Sequence, residues 1–311
     1  MATNNPILTD SKRGIKGKIM EVDLFGNPTK DRKVTYRPIK RIKYKAKIAL
    51  WSGGKDSTTM VDRLLRDGKE LDYIIFSDTQ KEFKEMYEYI NKVKNYWFQR
   101  YNKKVITLHP HMTFDDMIFN VRGENGRPCI NQDNYGKISG LLNPSSNFCE
   151  WRRISKIRPY ERWLRAKGFK EDEVLIYVGF SLDEPQRLKR HKHEHYPLVD
   201  TYRMRENDCK KYLENMEMEN PLYRFFSRTG CRLCPYQSEN DFYTIWRYFP
   251  NVWHEYIEYE RSVKEHKKEA ISNTWFINHT TCEKMEEKFK RWQFLEFEPN
   301  REPLKNCFCK I

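Results

Sequence analysis

The stretch Lys47-Ile-Ala-Leu-Trp-Ser-Gly-Gly-Lys-Asp-Ser57 begins as an apolar run and breaks at two glycines, a lysine and flanking hydroxyls. Ile48, Ala49 and Leu50 suit a strand buried on both faces, as strands of parallel sheets are. Gly53 and Gly54 permit a tight turn whose N–H groups face an anion. Beyond it Met60 with Leu64, and Val61 with Leu65, recur at helical spacing until Gly68 predicts a C-cap. The helix N-terminus therefore points at the loop, and the positive end of its dipole favours a phosphate there. Ser52-Gly53-Gly54-Lys55-Asp56-Ser57 is not a Walker loop, which needs four residues between its glycines and a Gly-Lys-Ser/Thr end.

Downstream, strand and helix patterns alternate as a parallel α/β sheet requires. Asp72 to Phe76 reads as a second strand, and Phe83, Met86, Ile90, Val93 and Trp97 mark one face of a long helix. Val105 to Leu108 is a third strand, Thr113 with Asp116 a helix cap, and Val174 to Val178 a further strand ended by Gly179. Ligands of open α/β sheets sit beyond the carboxyl ends of strands. Ser52 to Ser57, Asp78 to Gln80, and Gly179 to Arg187 are thus expected to share one crevice. Gly123 to Asn147, polar and long, reads as a functional loop. After Asn240 the pattern is helical and aromatic, with Phe242, Ile245, Trp246, Phe249, Trp253, Tyr256 and Ile257 as packing residues. One or two rings left exposed there suit base stacking. The expected organisation is a basic arm over 1–45, an α/β nucleotide domain over 46–240 and a helical region over 241–311.

Of 311 residues 38% are apolar and 14% aromatic, enough for a real core. No run of about 18 apolar residues occurs, and the N-terminus carries no apolar signal segment. The expectation is a cytoplasmic protein without membrane contact, in which eight cysteines serve as ligands, nucleophiles or buried thiols rather than disulfides. Net charge is +14, and residues up to Lys47 hold 13 Lys and Arg against four acids. Such an arm suits nucleic-acid phosphates; a solvated leader fits the charge equally well. Residues 1 to about 34 read as loop, with a short strand near Lys18 to Val22.

The loop resembles the PP-loop of the ATP pyrophosphatase superfamily. That resemblance implies a Rossmann-like (HUP-type) parallel sheet flanked by helices. Ser52, Gly53, Gly54 and Ser57 would then cradle the β,γ-pyrophosphate of ATP, and Lys55 would neutralise its charge. Asp56 would shape the loop or place a Mg²⁺. Asp78-Thr79-Gln80 with Glu82, Cys149 to Arg158, Gly179 to Glu184 with Arg187, Tyr196 to Val199, Asp208 to Leu213, and Gly230 to Pro235 resemble, in order, the motifs of the phosphoadenosine phosphosulfate (PAPS) reductase-like family. The likeness runs from about Lys47 to Gln237 and is closest to phage and bacterial members that also resemble the DNA phosphorothioation sulfurtransferase. It implies nucleotide contacts from Asp78, Thr79 and Gly179, and a catalytic role for Lys55, Asp56 and Arg187. Two departures weigh against sulfate reduction: the phosphate loop is intact, and the Glu-Cys-Gly-Leu-His tail is replaced by Asn306-Cys-Phe-Cys-Lys-Ile311.

Cys231-x-x-Cys234-Pro235 places two thiols on a tight turn. With Cys149 and Cys209, where the family tends to carry cysteines, the resemblance implies four ligands for a [4Fe–4S] cluster, with Zn²⁺ or redox thiols as alternatives. Cys129, Cys282, Cys307 and Cys309 read as incidental thiols, the last two also as a mobile sulfur-handling pair. His191, His193 and His195 fit a basic rim or surface loop better than a metal site. The expected function is an ATP-dependent enzyme that adenylates a substrate with release of pyrophosphate, for sulfur transfer to or modification of a nucleic acid or nucleotide, with a protein sulfur donor as a further partner. The rivals are a thiol-dependent sulfonucleotide reductase and a nucleic-acid-binding protein with a regulatory adenine-nucleotide site.

Overall fold

The computed structural model describes residues 15–22, 28–36, 43–124, 128–142, 148–188, 193–277 and 280–293. His191, Cys307 and Cys309 lie outside them. The chain divides into two compact units, Met1–Tyr44 and Lys45–Ile311. In the first, β1 (Ile15–Val22) and β2 (Pro28–Tyr36) pair antiparallel, with a register shift between Glu21 and Val22. The short strand expected at 18–22 is therefore one arm of a hairpin. Gly17 and Pro28 hid it; Pro28 is tolerated as the first residue of its strand.

The second unit is built on a five-stranded parallel sheet. β3 (Ala46–Trp51) leads into α1 (Lys55–Arg66), β4 (Tyr73–Ser77), α2 (Lys84–Tyr101), β5 (Val105–Leu108) and α3 (Phe114–Phe119). Thr113 and Asp116 form the expected capping box at the start of α3. α4 (Glu150–Arg152), a π-turn over Arg153–Ile157 and α5 (Arg158–Ala166) precede β6 (Val174–Tyr177) and β7 (Glu194–His195). The strand order is β5-β4-β3-β6-β7. The chain moves outward from β3 to β5 and then returns to β6 on the other flank of β3. β3 and β6 thus border the switch point, where the connecting loops part and leave a crevice.

Alternation along β3 explains why both its faces are buried. Ile48 and Leu50 join Ile75, Tyr160, Val174 and Ile176 on one side of the sheet. Ala49 and Trp51 join Met60, Leu64, Ile74, Phe76 and Trp97 on the other. Trp51 packs edge-on against Trp97 at 4.9 Å, and its indole N–H donates to Thr58 Oγ1 at 2.9 Å. Burying a large side chain of this kind contributes on the order of 1.5–3 kcal/mol.

α6 (Pro197–Asp200) and α7 (Glu206–Glu214) follow, and α7 packs on α1. α8 (Glu239–Tyr248), α9 (Pro250–Lys264) and α10 (Cys282–Trp292) complete the unit. Phe242, Ile245, Trp253, Tyr256 and Phe289 from these helices belong to the same core as α1 and α2. Among the described residues no helix is long and apolar enough to cross a membrane.

Candidate functional site

The Ser52–Ser57 loop closes on itself. Ser52 Oγ lies 3.0 Å from Ser57 Oγ, which also accepts from Ser52 N–H at 3.2 Å and donates to the Gly54 carbonyl at 3.1 Å. Gly53 adopts φ +77°, and a Cβ there would stand 2.9 Å from Met86 Sδ. Its carbonyl accepts from Asn220 Nδ2 at 3.1 Å. Gly54 caps α1 without any side-chain hydrogen bond to the helix amides. Tyr223 Oη instead accepts from Lys55 N–H at 3.0 Å.

Lys55 is held between two carboxylates. Its Nζ lies 2.8 Å from Glu206 Oε2 and 3.2 Å from Asp56 Oδ2. Burial opposes the charge, yet Asp56, Tyr223 and Glu206 together hold the ammonium above its ordinary value. Burial pushes the Asp56 carboxyl up to about 6 against the pull of Lys55, with Glu206 and Glu184 adding to the rise. Among the described residues Asp56 Oδ1 is buried and finds no hydrogen-bond partner within bonding geometry, with the Cys209 thiol acting on the carboxyl. Gly179, just beyond β6, meets the first turn of α1 so closely that a Cβ would stand 2.7 Å from Ser57 Cα.

Loop and glycine open onto one cavity of about 420 Å³. Ser52, Gly54, Lys55, Asp56 and Ser57 line one end, with Gly179, Glu184 and Arg187 beside them. Arg187 hydrogen-bonds Glu184, and its guanidinium lies 4.3 Å from the Phe180 ring centroid. Glu82, Cys149, Arg152, Lys156, Arg228, Cys231 and Cys234 also line the cavity. Cys149 caps α4, its Sγ accepting from Arg152 N–H at 3.4 Å. The π-turn that follows, a device frequent at functional sites, carries Lys156, which lines the cavity with Arg152.

The Cys231–Cys234 turn is fixed from behind by α9. Arg232 forms a bidentate pair with Glu255 at 2.7 and 3.0 Å and donates to the Glu82 carbonyl at 3.0 Å. Tyr256 Oη donates to the Arg232 carbonyl at 2.7 Å. Cys231 Sγ lies 3.9 Å from Glu82 Oε1. Burial pushes the Glu82 carboxyl up, against Lys156 and Thr79. Burial also pushes the Cys231 thiol well up, and Glu82, Cys234 and Cys149 are among the charges acting on it.

Several residues expected here lie elsewhere. Cys209 is fully buried on α7, where its carbonyl accepts from Thr59 Oγ1 at 3.3 Å. Burial raises its thiol, and its charged neighbours are Asp56 and Lys55 rather than the other three cysteines. Of the four cysteines expected as ligands, Cys149, Cys231 and Cys234 line one cavity, and Cys209 is not among the lining residues. Among the described residues no three His, Cys, Asp or Glu side chains are grouped as metal ligands. Gly53, Asp78 and Thr79 are not among the residues lining the cavity. Asp78 accepts from Tyr87 Oη and Gln80 N–H, both at 2.8 Å, while buried Thr79 donates to Glu82 Oε1 at 2.8 Å. They brace the turn that presents Glu82. His193 and His195 flank and form the edge strand β7, whose backbone bonds reach Ile176 and Val178.

Glu206 and Tyr223 escape sequence reading because nothing local marks them. Glu206 N–H donates to Asp183 Oδ2 at 2.9 Å, so an acid that sequence did single out fixes the start of α7. Arg152 and Lys156 lie in a basic segment whose sequence does not mark which members line the cavity.

The profile of the phosphoadenosine phosphosulfate reductase domain matches residues 47–237, more than half of the chain. The uncharacterized protein MJ0066 of Methanocaldococcus jannaschii is 26% identical over 257 residues, covering 78% of this chain and 46% of that protein. The chain thus spans about half the length of this curated relative. Among solved structures, phosphoadenylyl-sulfate reductase from Candida auris, in a phosphate complex, covers 59% of this chain and 81% of its own at 15% identity, with a TM-score of 0.38. The U34-tRNA thiolase NcsA from Methanococcus maripaludis, with its [4Fe-4S] cluster, covers 85% of this chain and 86% of its own at 14% identity, with a TM-score of 0.34.

Proposed function

The chain belongs to the phosphoadenosine phosphosulfate reductase domain family, and from that premise we propose that it is an ATP-dependent adenylating enzyme serving sulfur transfer to a nucleic acid or nucleotide. The observation that carries the reading is the intact loop: Ser52 to Ser57 stands at the sheet's switch point, with Lys55 charged and facing the cavity. A sulfonucleotide has no pyrophosphate to fill such a loop; ATP does.

The residues divide the work. The β,γ-phosphates lie against Ser52, Gly54 and Ser57, where the N-terminus of α1 favours anions. Lys55 passes from Glu206 to the phosphates, and Arg187 approaches the α-phosphate. A substrate oxygen attacks the α-phosphorus, the bond to the bridging oxygen breaks, and pyrophosphate leaves with its charge on Lys55. A sulfur nucleophile, supplied by a donor protein, then displaces AMP. In-line attack depends mainly on positioning and charge neutralisation. Asp56, whose Oδ1 is orphaned, fits a Mg²⁺, which supplies further neutralisation when bound. Cys149, Cys231 and Cys234 line one cavity with soft donors, a chemistry that fits an iron–sulfur cluster. Such a cluster supplies a place for sulfide when bound. The basic arm adds a salt-dependent grip on nucleic-acid phosphates.

Incubation with α- and γ-labelled ATP plus candidate nucleic acids as acceptors tests the reading: labelled pyrophosphate is expected from the wild type. Lys55→Ala and Ser57→Ala each lose roughly ten- to a hundredfold in ATP affinity, the worth of about 1.5–3 kcal/mol per charged hydrogen bond. Pyrophosphate release unchanged in both variants refutes the assignment.

A further inference from the structure

A ladder of aromatic rings leaves the cavity wall and surfaces beside it. Phe83 and Phe226 line the cavity, and both pack on Phe249, with centroids 5.0 and 5.6 Å away. Phe249 meets Phe225 at 5.1 Å, and Phe225 meets Tyr248 at 5.3 Å. The last two rings are exposed, at 36% and 57%. Each follows an exposed arginine in the chain, Arg224 and Arg247. Neither guanidinium has a hydrogen-bond or ion-pair partner among the described residues.

Core packing accounts for the ladder only as far as Phe249. Beyond it stand two touching π faces in water, flanked by two uncompensated cations. A protein partner calls for a contiguous apolar patch, and a duplex hides the faces of its bases. A single strand offers both complements at once, bases for the rings and phosphates for the guanidiniums.

We propose that Phe225 and Tyr248, with Arg224 and Arg247, form a docking platform for single-stranded nucleic acid beside the cavity. This rests on the reading of a nucleic acid as acceptor and narrows it to an unpaired strand. The platform recognises bases by stacking, so it tolerates sequence, and it is chemically distinct from the phosphate-only attraction of the N-terminal arm.

The test uses the full chain and fluorescent strands of about twelve nucleotides, within the range one such site spans, either oligo-dT or an abasic backbone of equal length. Both carry the same phosphates, so the arm contributes equally to each. The wild type is expected to bind the base-bearing strand about tenfold or more tightly. The double variant Phe225→Leu/Tyr248→Leu keeps an apolar side chain at both positions but removes the π faces, and its preference for bases disappears. Arg224→Gln/Arg247→Gln keeps the preference and flattens the plot of log affinity against log salt by about 1.4. Equal binding of both strands by the wild type, or a preference that survives in the ring variant with an unchanged melting curve, overturns the proposal. ATP binding, measured by titration without nucleic acid on the same proteins, separates the two readings. ATP binding retained with base preference absent places the failure on the platform, whereas base preference without ATP binding places it on the nucleotide reading.

Discussion

Replacing Gly179 by alanine probes the tie between the sheet and the phosphate loop. The added Cβ would stand 2.7 Å from Ser57 Cα and 2.9 Å from Ser57 N, where ordinary contact begins at 3.4 Å. Both neighbours are backbone atoms, so no rotamer change relieves the overlap. Either the end of β6 or the first turn of α1 has to move, by roughly 0.5–1 Å. Overpacking of this kind costs about 1–3 kcal/mol. Ser57 Oγ is bonded to Ser52 N–H and the Gly54 carbonyl, so movement of α1 reshapes the whole loop. A misplacement of about 1 Å costs on the order of a hundredfold in rate where catalysis rests on positioning. Pyrophosphate release by Gly179→Ala is expected to fall roughly ten- to a hundredfold in kcat/KM, with a melting temperature lower by several degrees. Wild-type turnover would refute the reasoning outright, and a lowered melting temperature with full activity would show that the loop's position does not govern the reaction.

Two further outcomes follow from the site. Folded Asp56 titrates at about 6 against 3.8 for the free carboxyl, so the folded state binds more protons between those values. Its contribution to stability is fully present below about pH 4 and is lost as pH rises through about 6, on the order of 3 kcal/mol. Melting curves from pH 4 to 7 are expected to show a steeper decline in the wild type than in Asp56→Asn; parallel curves would remove Asp56 as the cause. Anaerobically purified protein is expected to contain iron and acid-labile sulfide, lost in Cys231→Ser and in Cys234→Ser but kept in Cys209→Ser. Zinc without sulfide would make the centre structural, and loss in Cys209→Ser would return that thiol to the ligand set.

What sequence discloses here depends on whether a signal is local. The step from Ile48-Ala-Leu50 to Gly53-Gly54 and then to Met60 and Leu64 joins three independent signals in under twenty residues, and the strand, loop and helix stand where it puts them. Thr113 and Asp116 announce the cap of α3 in the same way. β7 is only two residues long, set among charges on a sheet edge, and no period can be read from two residues. Side-chain direction after a strand is not local either. Asp78 and Thr79 satisfy the motif, yet they turn toward Tyr87 and Glu82 and leave Glu82 to line the cavity. Cys209 makes the same point for a helix. Order along the chain sets it between Cys149 and Cys231, while the packing of α7 on α1 directs it to Thr59 and Asp56. Glu206, one turn earlier on that helix, reaches Lys55 from 151 residues away in sequence. A chain read without its fold can single out the loop lysine, but it cannot name the carboxylate that holds it.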